Sequence, residues 1–219
     1  METKTTKAIH NPAHNVFLEN KMNLSKKIKG LKIRYGWHSL LSANELVWLI
    51  ENGVIDAPLD AVQGSTIDVT LHPYIRKEMD SFDKKPRTVD MSKGESIRTI
   101  EETIEYNPYM MQPGEFLLGC TQERFKLPPW LSILFLMKST PGRNGITHMM
   151  AGWGDATWEG RLTLEIMNCT RHHEHAIYNG MKLGQIVFLR HSSVPKEYSY
   201  QVKGQYNGQD KVTPAGVLK

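Results

Sequence analysis

Two cysteines in 219 residues are too few for a disulfide scaffold. Cys120 and Cys169 stand in apolar, strand-like stretches and read as buried free thiols, which suits a reducing cytoplasm. Long apolar runs are missing too, so no segment is expected to cross a bilayer. The opening METKTTKAIHNPAHN lacks the apolar heart of a signal peptide. Charge of one sign is also in short supply: 27 Lys and Arg face 23 Asp and Glu, a net of +4, with no basic stripe interleaved with aromatics. That balance admits a small anionic ligand and does not demand nucleic acid. Internal repeats and low-complexity runs are absent, and the length suits one domain with a substantial core, although two small ones are not excluded.

What is present begins with a polar arm. Residues 1 to about 30 carry six lysines against two acids and show little periodicity, so the arm either packs on a neighbouring subunit or stays solvated. Leu40 to Gly53 then reads as a short helix, with Ser42 as N-cap, Glu45 as its capping-box partner and Asn52-Gly53 as the stop. After it come strands. Ile67, Val69 and Leu71 alternate with Thr66, Asp68 and Thr70, the apolar set facing inward and the polar set outward; Asp68 reads as a hydrogen-bonded structural carboxylate. Residues 73 to 108 are polar and suggest a long hairpin or excursion with weak strands.

Further on, Pro113-Gly114 turns into a strand through Thr121, and Leu131 to Met137 is apolar enough to be buried on both faces. Gln185 to Leu189 follows an Asn179-Gly180 turn. Many short strands, turn signals between them and one helix point to an all-β sandwich or barrel of jelly-roll type. His172-His173-Glu174-His175 contains His-x-Glu, but no Pro-Cys-x-x-Cys pair accompanies it. It reads as an exposed polar turn rather than a zinc site.

The stretch Lys138 to Glu165, KSTPGRNGITHMMAGWGDATWEGRLTLE, gathers polar and basic residues, then a Gly-rich turn, then a strand. In Arg161 to Ile166 the apolar Leu162, Leu164 and Ile166 share one face while Arg161, Thr163 and Glu165 share the other. A partly desolvated Glu on such a face can carry protons to and from a ligand. The strand alone is equally that of an ordinary sheet with a solvated Glu.

The stretch resembles the central motif of the dCTP deaminases, members of the trimeric dUTPase-like superfamily. Lys138-Ser139-Thr140-Pro141-Gly142-Arg143 is similar to the family's basic-Ser-Ser-x-x-Arg loop. Gly154-Asp155-Ala156-Thr157-Trp158-Glu159-Gly160 matches its Asp-containing turn, and Leu164-Glu165 its Leu-Glu strand. Gly64 to Leu71 resembles its first motif, and Tyr198, Tyr206 and Gln209 align with its C-terminal motif. The resemblance implies a mainly β, distorted jelly-roll or β-clip dUTPase-like barrel with a short N-terminal helix. Residues 1–36 would be an extension and 37–219 the domain.

The same resemblance implies a zinc-independent deamination of a deoxycytidine nucleotide in a cytoplasmic homotrimer that contacts neither membrane nor nucleic acid. Glu165 would be the general acid and base, with Ser139 and the carbonyl of Ala151 holding the water. Arg143 would add a fixed charge, and Lys138, Ser139 and Thr140 would contact phosphate. Mg²⁺ would ride on the phosphates rather than in a protein cage, so no protein metal ligands are expected. Asp155 would accept from the deoxyribose hydroxyl, Thr163 would line the pyrimidine site, and Tyr198, Gln205 and Gln209 would belong to a closing tail. Inhibition by dTTP is a further trait of the family.

Three departures stand out. Lys138 replaces Arg, Trp153 stands where Arg is common, and Gln205 replaces Lys. The loss of cations suggests a substrate preference shifted in phosphate number or towards a modified cytosine. Trp153 would also lie beside the water. The resemblance leaves two alternatives: a bifunctional deaminase and dUTPase, or a dUTPase outright, and a non-catalytic nucleotide-binding regulator.

Overall fold

In the computed structural model, residues 39–79 and 85–216 are described; the expected extension lies outside them. Helix α1 (Ala43–Glu51) comes first. The backbone N–H of Ser42 donates to Oε2 of Glu45 at 3.0 Å, so the capping box read from the sequence is present. Asn52 closes the helix by donating its side-chain amide to the Trp48 carbonyl, 2.8 Å. Leu46 and Leu49 are buried and bind α1 to the core.

Strands follow as β1 (Ile55–Asp56), β2 (Ile67–Thr70), β3 (Tyr74–Glu78), β4 (Thr99–Thr103), β5 (Tyr109–Met111) and β6 (Phe116–Lys126). Next come β7 (Leu131–Met137), the short helix α2 (Ser139–Arg143), β8 (Ile146–His148), β9 (Trp153–Gly154) and β10 (Glu159–Asn168). Last are β11 (His175–Ile177), β12 (Lys182–Arg190) and the short helix α3 (Tyr200–Lys203). The chain is thus mainly β, as expected. One sheet runs β4-β3-β6-β10-β8 with β1 on β6, a second runs β2-β12-β7-β9, and β11 pairs β5. The main buried cluster draws on these sheets and takes in Leu162, Leu164 and Ile166 of β10 together with Ile133 of β7 and Phe188 of β12. Gly184 of β12 lies so close to the Phe135 ring that a Cβ there would stand 2.0 Å away.

The excursion after residue 73 contains the hairpin pair β3 and β4, in register from Tyr74↔Thr103 to Glu78↔Thr99. Strand β10 alternates buried and half-buried residues along its length, the pattern its sequence dictates.

Four expectations are corrected. Strand β7 is not buried on both faces, because Leu136 is 39% exposed near its end. Asp68 does not face solvent: its side chain is 5% exposed, with the Lys138 ammonium 2.6 Å from Oδ1. Of the two free thiols only Cys120 is buried, its pKa pushed up to about 11 by desolvation; Cys169 lies exposed just beyond β10. The histidine turn is only partly solvated, since His175 enters β11 with a buried Nε2.

Candidate functional site

The polar face of β10 forms the back of a cavity of about 350 Å³. Thr163 and Glu165 project into it from β10, Phe116 and Leu118 from β6, and Ala151, Trp153 and Asp155 from the segment leading through β9. Ile97, Trp158 and Leu162 also line it, and the remaining wall is the C-terminal tail: Tyr200, Tyr206, Gln209 and Thr213 to Ala215. A cavity of this size, mostly apolar with a few convergent polar groups, is of the kind that holds a small ligand.

Each polar group is fixed by its surroundings. Gly154 packs on Ile133 so tightly that a Cβ would come within 2.4 Å of that side chain, which lets β9 lie against β7 and aims Trp153 and Asp155 at the cavity. The Trp153 indole N–H donates to Oδ1 of Asp155 at 2.9 Å. Trp158 lies beneath, tilted against Phe125 with centroids 5.7 Å apart, and its indole N–H donates to the Tyr206 carbonyl at 3.0 Å. Between Asp155 and Trp158 the chain turns on Thr157, whose φ of 72° is rare for a β-branched residue.

The tail is built into β10. The N–H of Gly208 donates to the Glu159 carbonyl at 2.7 Å, and the N–H of Arg161 to the Gln209 carbonyl at 2.9 Å. The Gln209 amide donates to the Arg161 carbonyl and to Oγ1 of Thr163, at 3.0 and 3.1 Å, while its Oε1 is buried without a partner. An ion pair between Arg124 and Asp210 and buried Val212 hold the segment down.

Glu165 has a side chain 25% exposed, with Oε2 2.9 Å from Nε2 of His148. A carboxylate so placed can exchange protons with a ligand in the cavity while its other contacts stay fixed. Asp155 and Thr163 offer an acceptor and a hydroxyl beside it.

Of the residues singled out in the sequence, the structure gathers Ala151, Trp153, Asp155, Thr163, Glu165 and Gln209 around one cavity. It does not bring Lys138, Ser139, Thr140, Arg143, Tyr198 or Gln205 to that cavity within the single chain. Lys138 is engaged with Asp68. Ser139, Thr140 and Arg143 lie exposed on α2. Tyr198 and Gln205 are exposed as well, Tyr198 with the Lys203 ammonium 4.4 Å above its ring. Sequence reasoning missed His148, Tyr200 and the Thr213 to Ala215 wall. His148 sits in a three-residue strand too short to show a period, and the tail has no periodicity at all. Among the described residues no three His, Cys, Asp or Glu side chains are grouped to hold a metal, and no helix is long and apolar enough to cross a membrane.

The mainly β scaffold that carries this cavity is a fold shared with a solved protein. The crystal structure of 2'-deoxycytidine 5'-triphosphate deaminase from Agrobacterium tumefaciens superposes with a TM-score of 0.55 at 23% identity. The match covers 69% of this chain and 48% of that one, so this chain spans about half the length of that protein. The sequence narrows this further. A family model described as dCTP deaminase-like matches residues 40–191. A Bifidobacterium longum protein named dCTP deaminase, dUMP-forming, is 38% identical over 162 residues, 71% of this chain and 81% of its own. A Mycobacterium tuberculosis protein of the same name is 35% identical over 185 residues, 80% and 94% of the two chains. The chain belongs to the dCTP deaminase-like family.

Proposed function

We propose that this protein hydrolytically deaminates a deoxycytidine nucleotide, dCTP or a close relative, to the deoxyuridine nucleotide and ammonia. The observation that carries the reading is Glu165, held on the polar face of β10 in the wall of a cavity shared with Thr163, Asp155 and the tail. Water adds at C4 of the base and gives its proton to Glu165, which returns it to the ring nitrogen or the departing ammonia. Ser139 and the Ala151 carbonyl hold that water. Arg143, Lys138 and Thr140 meet the phosphates of a magnesium-bound nucleotide, and no step runs through zinc. Asp155 accepts from the sugar hydroxyl through the oxygen that Trp153 leaves free. Gln209, with Tyr198 and Gln205, closes the tail over the ligand.

Ser139, Thr140 and Arg143 lie away from the cavity of their own chain, so the site is completed by α2 of a neighbour in a homotrimer. The apolar side chains on the surrounding surface support this. Met150 is 89% exposed in the loop before β9, and Trp153 is 52% exposed; exposed apolar groups beside a site mark a contact surface.

A second reading adds pyrophosphate release. The relatives named above are dUMP-forming, and forming dUMP from dCTP consumes two waters and releases both ammonia and pyrophosphate. Asp155 has one free carboxylate oxygen with which to orient the second water. One assay separates the readings. Purified protein is given magnesium and dCTP, dCDP, dCMP, 5-substituted dCTP or dUTP in turn, and ammonia and pyrophosphate are measured separately. Deamination predicts ammonia from a deoxycytidine nucleotide, and the second reading adds pyrophosphate from dCTP. Plain dCTP turned over far faster than its dCMP, dCDP and 5-substituted counterparts would contradict the shifted preference suggested by Lys138, Trp153 and Gln205. Binding without either product would leave a nucleotide-binding regulator.

A further inference from the structure

Glu165 does not stand alone in the cavity wall. Its Oε2 lies 2.9 Å from Nε2 of His148, and both atoms are closed off from solvent with no aligned hydrogen-bond partner. The distance is that of a hydrogen bond while the direction is not, so a small rotation of ring or carboxylate completes it. The ring is well seated. Its side chain is 4% exposed and packs on Phe135 with centroids 4.7 Å apart. Strand β8 is itself tied to β10, and the next residue, Met149, donates its N–H to the Glu165 carbonyl at 3.0 Å. One short strand therefore addresses both the backbone and the carboxylate of Glu165.

Two bare lone pairs cannot face each other at this separation in a buried place without a large electrostatic cost. One proton lies between the two atoms. A base that takes the water's proton must start as the carboxylate, so the proton sits on Nε2 and the neutral imidazole donates it to Oε2. Oε2 is thereby taken up by His148, and Oε1 is left for the ligand.

We propose that His148 is a positioning residue that acts through Glu165. It fixes the rotamer of the carboxylate and assigns its two oxygens, one to the imidazole and one to the water and the base. His148 touches no reacting atom, and over the reaction it neither gains nor loses a proton. The inference rests on the deaminase reading above.

The test uses the full chain and two substitutions. His148→Phe keeps a ring against Phe135 and removes the nitrogen; His148→Gln restores an amide N–H within reach of Oε2. Ammonia release from dCTP and the melting temperature are measured for wild type and both variants. His148→Phe is expected to lower kcat by roughly 10- to 100-fold, the loss of one hydrogen bond to a charged group, with KM changed by less than about threefold. His148→Gln is expected to recover at least about threefold of that loss, at a melting temperature no higher than that of His148→Phe. A core-filling role would follow melting temperature instead and leave Gln no better than Phe; that result overturns the inference. So does a His148→Phe variant with wild-type kcat.

A wild type that releases no ammonia overturns the functional reading together with this one. An independent readout needs no change at position 148. The ¹⁵N resonance of His148 Nε2 is expected to move on Glu165→Gln, and a resonance that stays in place contradicts the pairing.

Discussion

At the scale of single residues, the site is defined by how each charged or polar atom is already spent. The Lys138 ammonium is 2.6 Å from a nearly buried Asp68, with Lys182 a distant second partner at 3.9 Å. Breaking a buried pair leaves an uncompensated charge, so Lys138→Met is expected to cost about 3 kcal/mol, a fall in melting temperature of roughly 6–12 °C. Calorimetry checks this, and an unchanged melting temperature would show that the pair adds nothing to stability. Asp155 is engaged on one oxygen by the Trp153 indole. Trp153→Phe keeps the ring and loses the donor. The expected result is a rise in KM for nucleotide of about fivefold, near 1 kcal/mol, with little change in kcat.

At the scale of elements, the tail and β10 form one unit. Gly160 has a φ of 143°, and a Cβ added there would lie 2.8 Å from the Gln209 carbonyl oxygen. Gly160→Ala is therefore expected to lift the tail off β10 while leaving the sheets intact. Limited proteolysis should then cut within residues 199–216 much faster than in wild type, with unchanged circular dichroism. An equally protected tail would mean that its docking does not depend on that contact. Elements with a period were legible in the sequence. The alternation of β10 put Glu165 and Thr163 on one face, and the Ser42 and Glu45 spacing set the start of α1. Features made by chain crossings were not: Lys138 meets Asp68 across 70 residues, and His148 meets Glu165 only because β8 folds back on β10. The tail gave its motif but not its register. After the 3₁₀ turn Lys196–Tyr198, Tyr200 lines the cavity of its own chain and Tyr198 lies outside it.

At the scale of the whole molecule, the account requires a site shared between chains. Three copies of the 25.0 kDa chain should sediment at three times that mass. Mixed assemblies test the sharing itself. Subunits carrying Arg143→Ala and subunits carrying Glu165→Gln are each expected to be inactive alone and to regain activity when refolded together, because some interfaces then pair an intact α2 with an intact cavity. No recovery would confine both residues to one chain's site. Beneath all of this lies the claim that the carboxylate at position 165 moves the proton. The most direct measurement is ammonia release from dCTP by the Glu165→Gln variant, with nucleotide affinity measured alongside. The account predicts a loss of roughly 10²- to 10⁴-fold in kcat with affinity retained, and a variant that deaminates at the wild-type rate would contradict it.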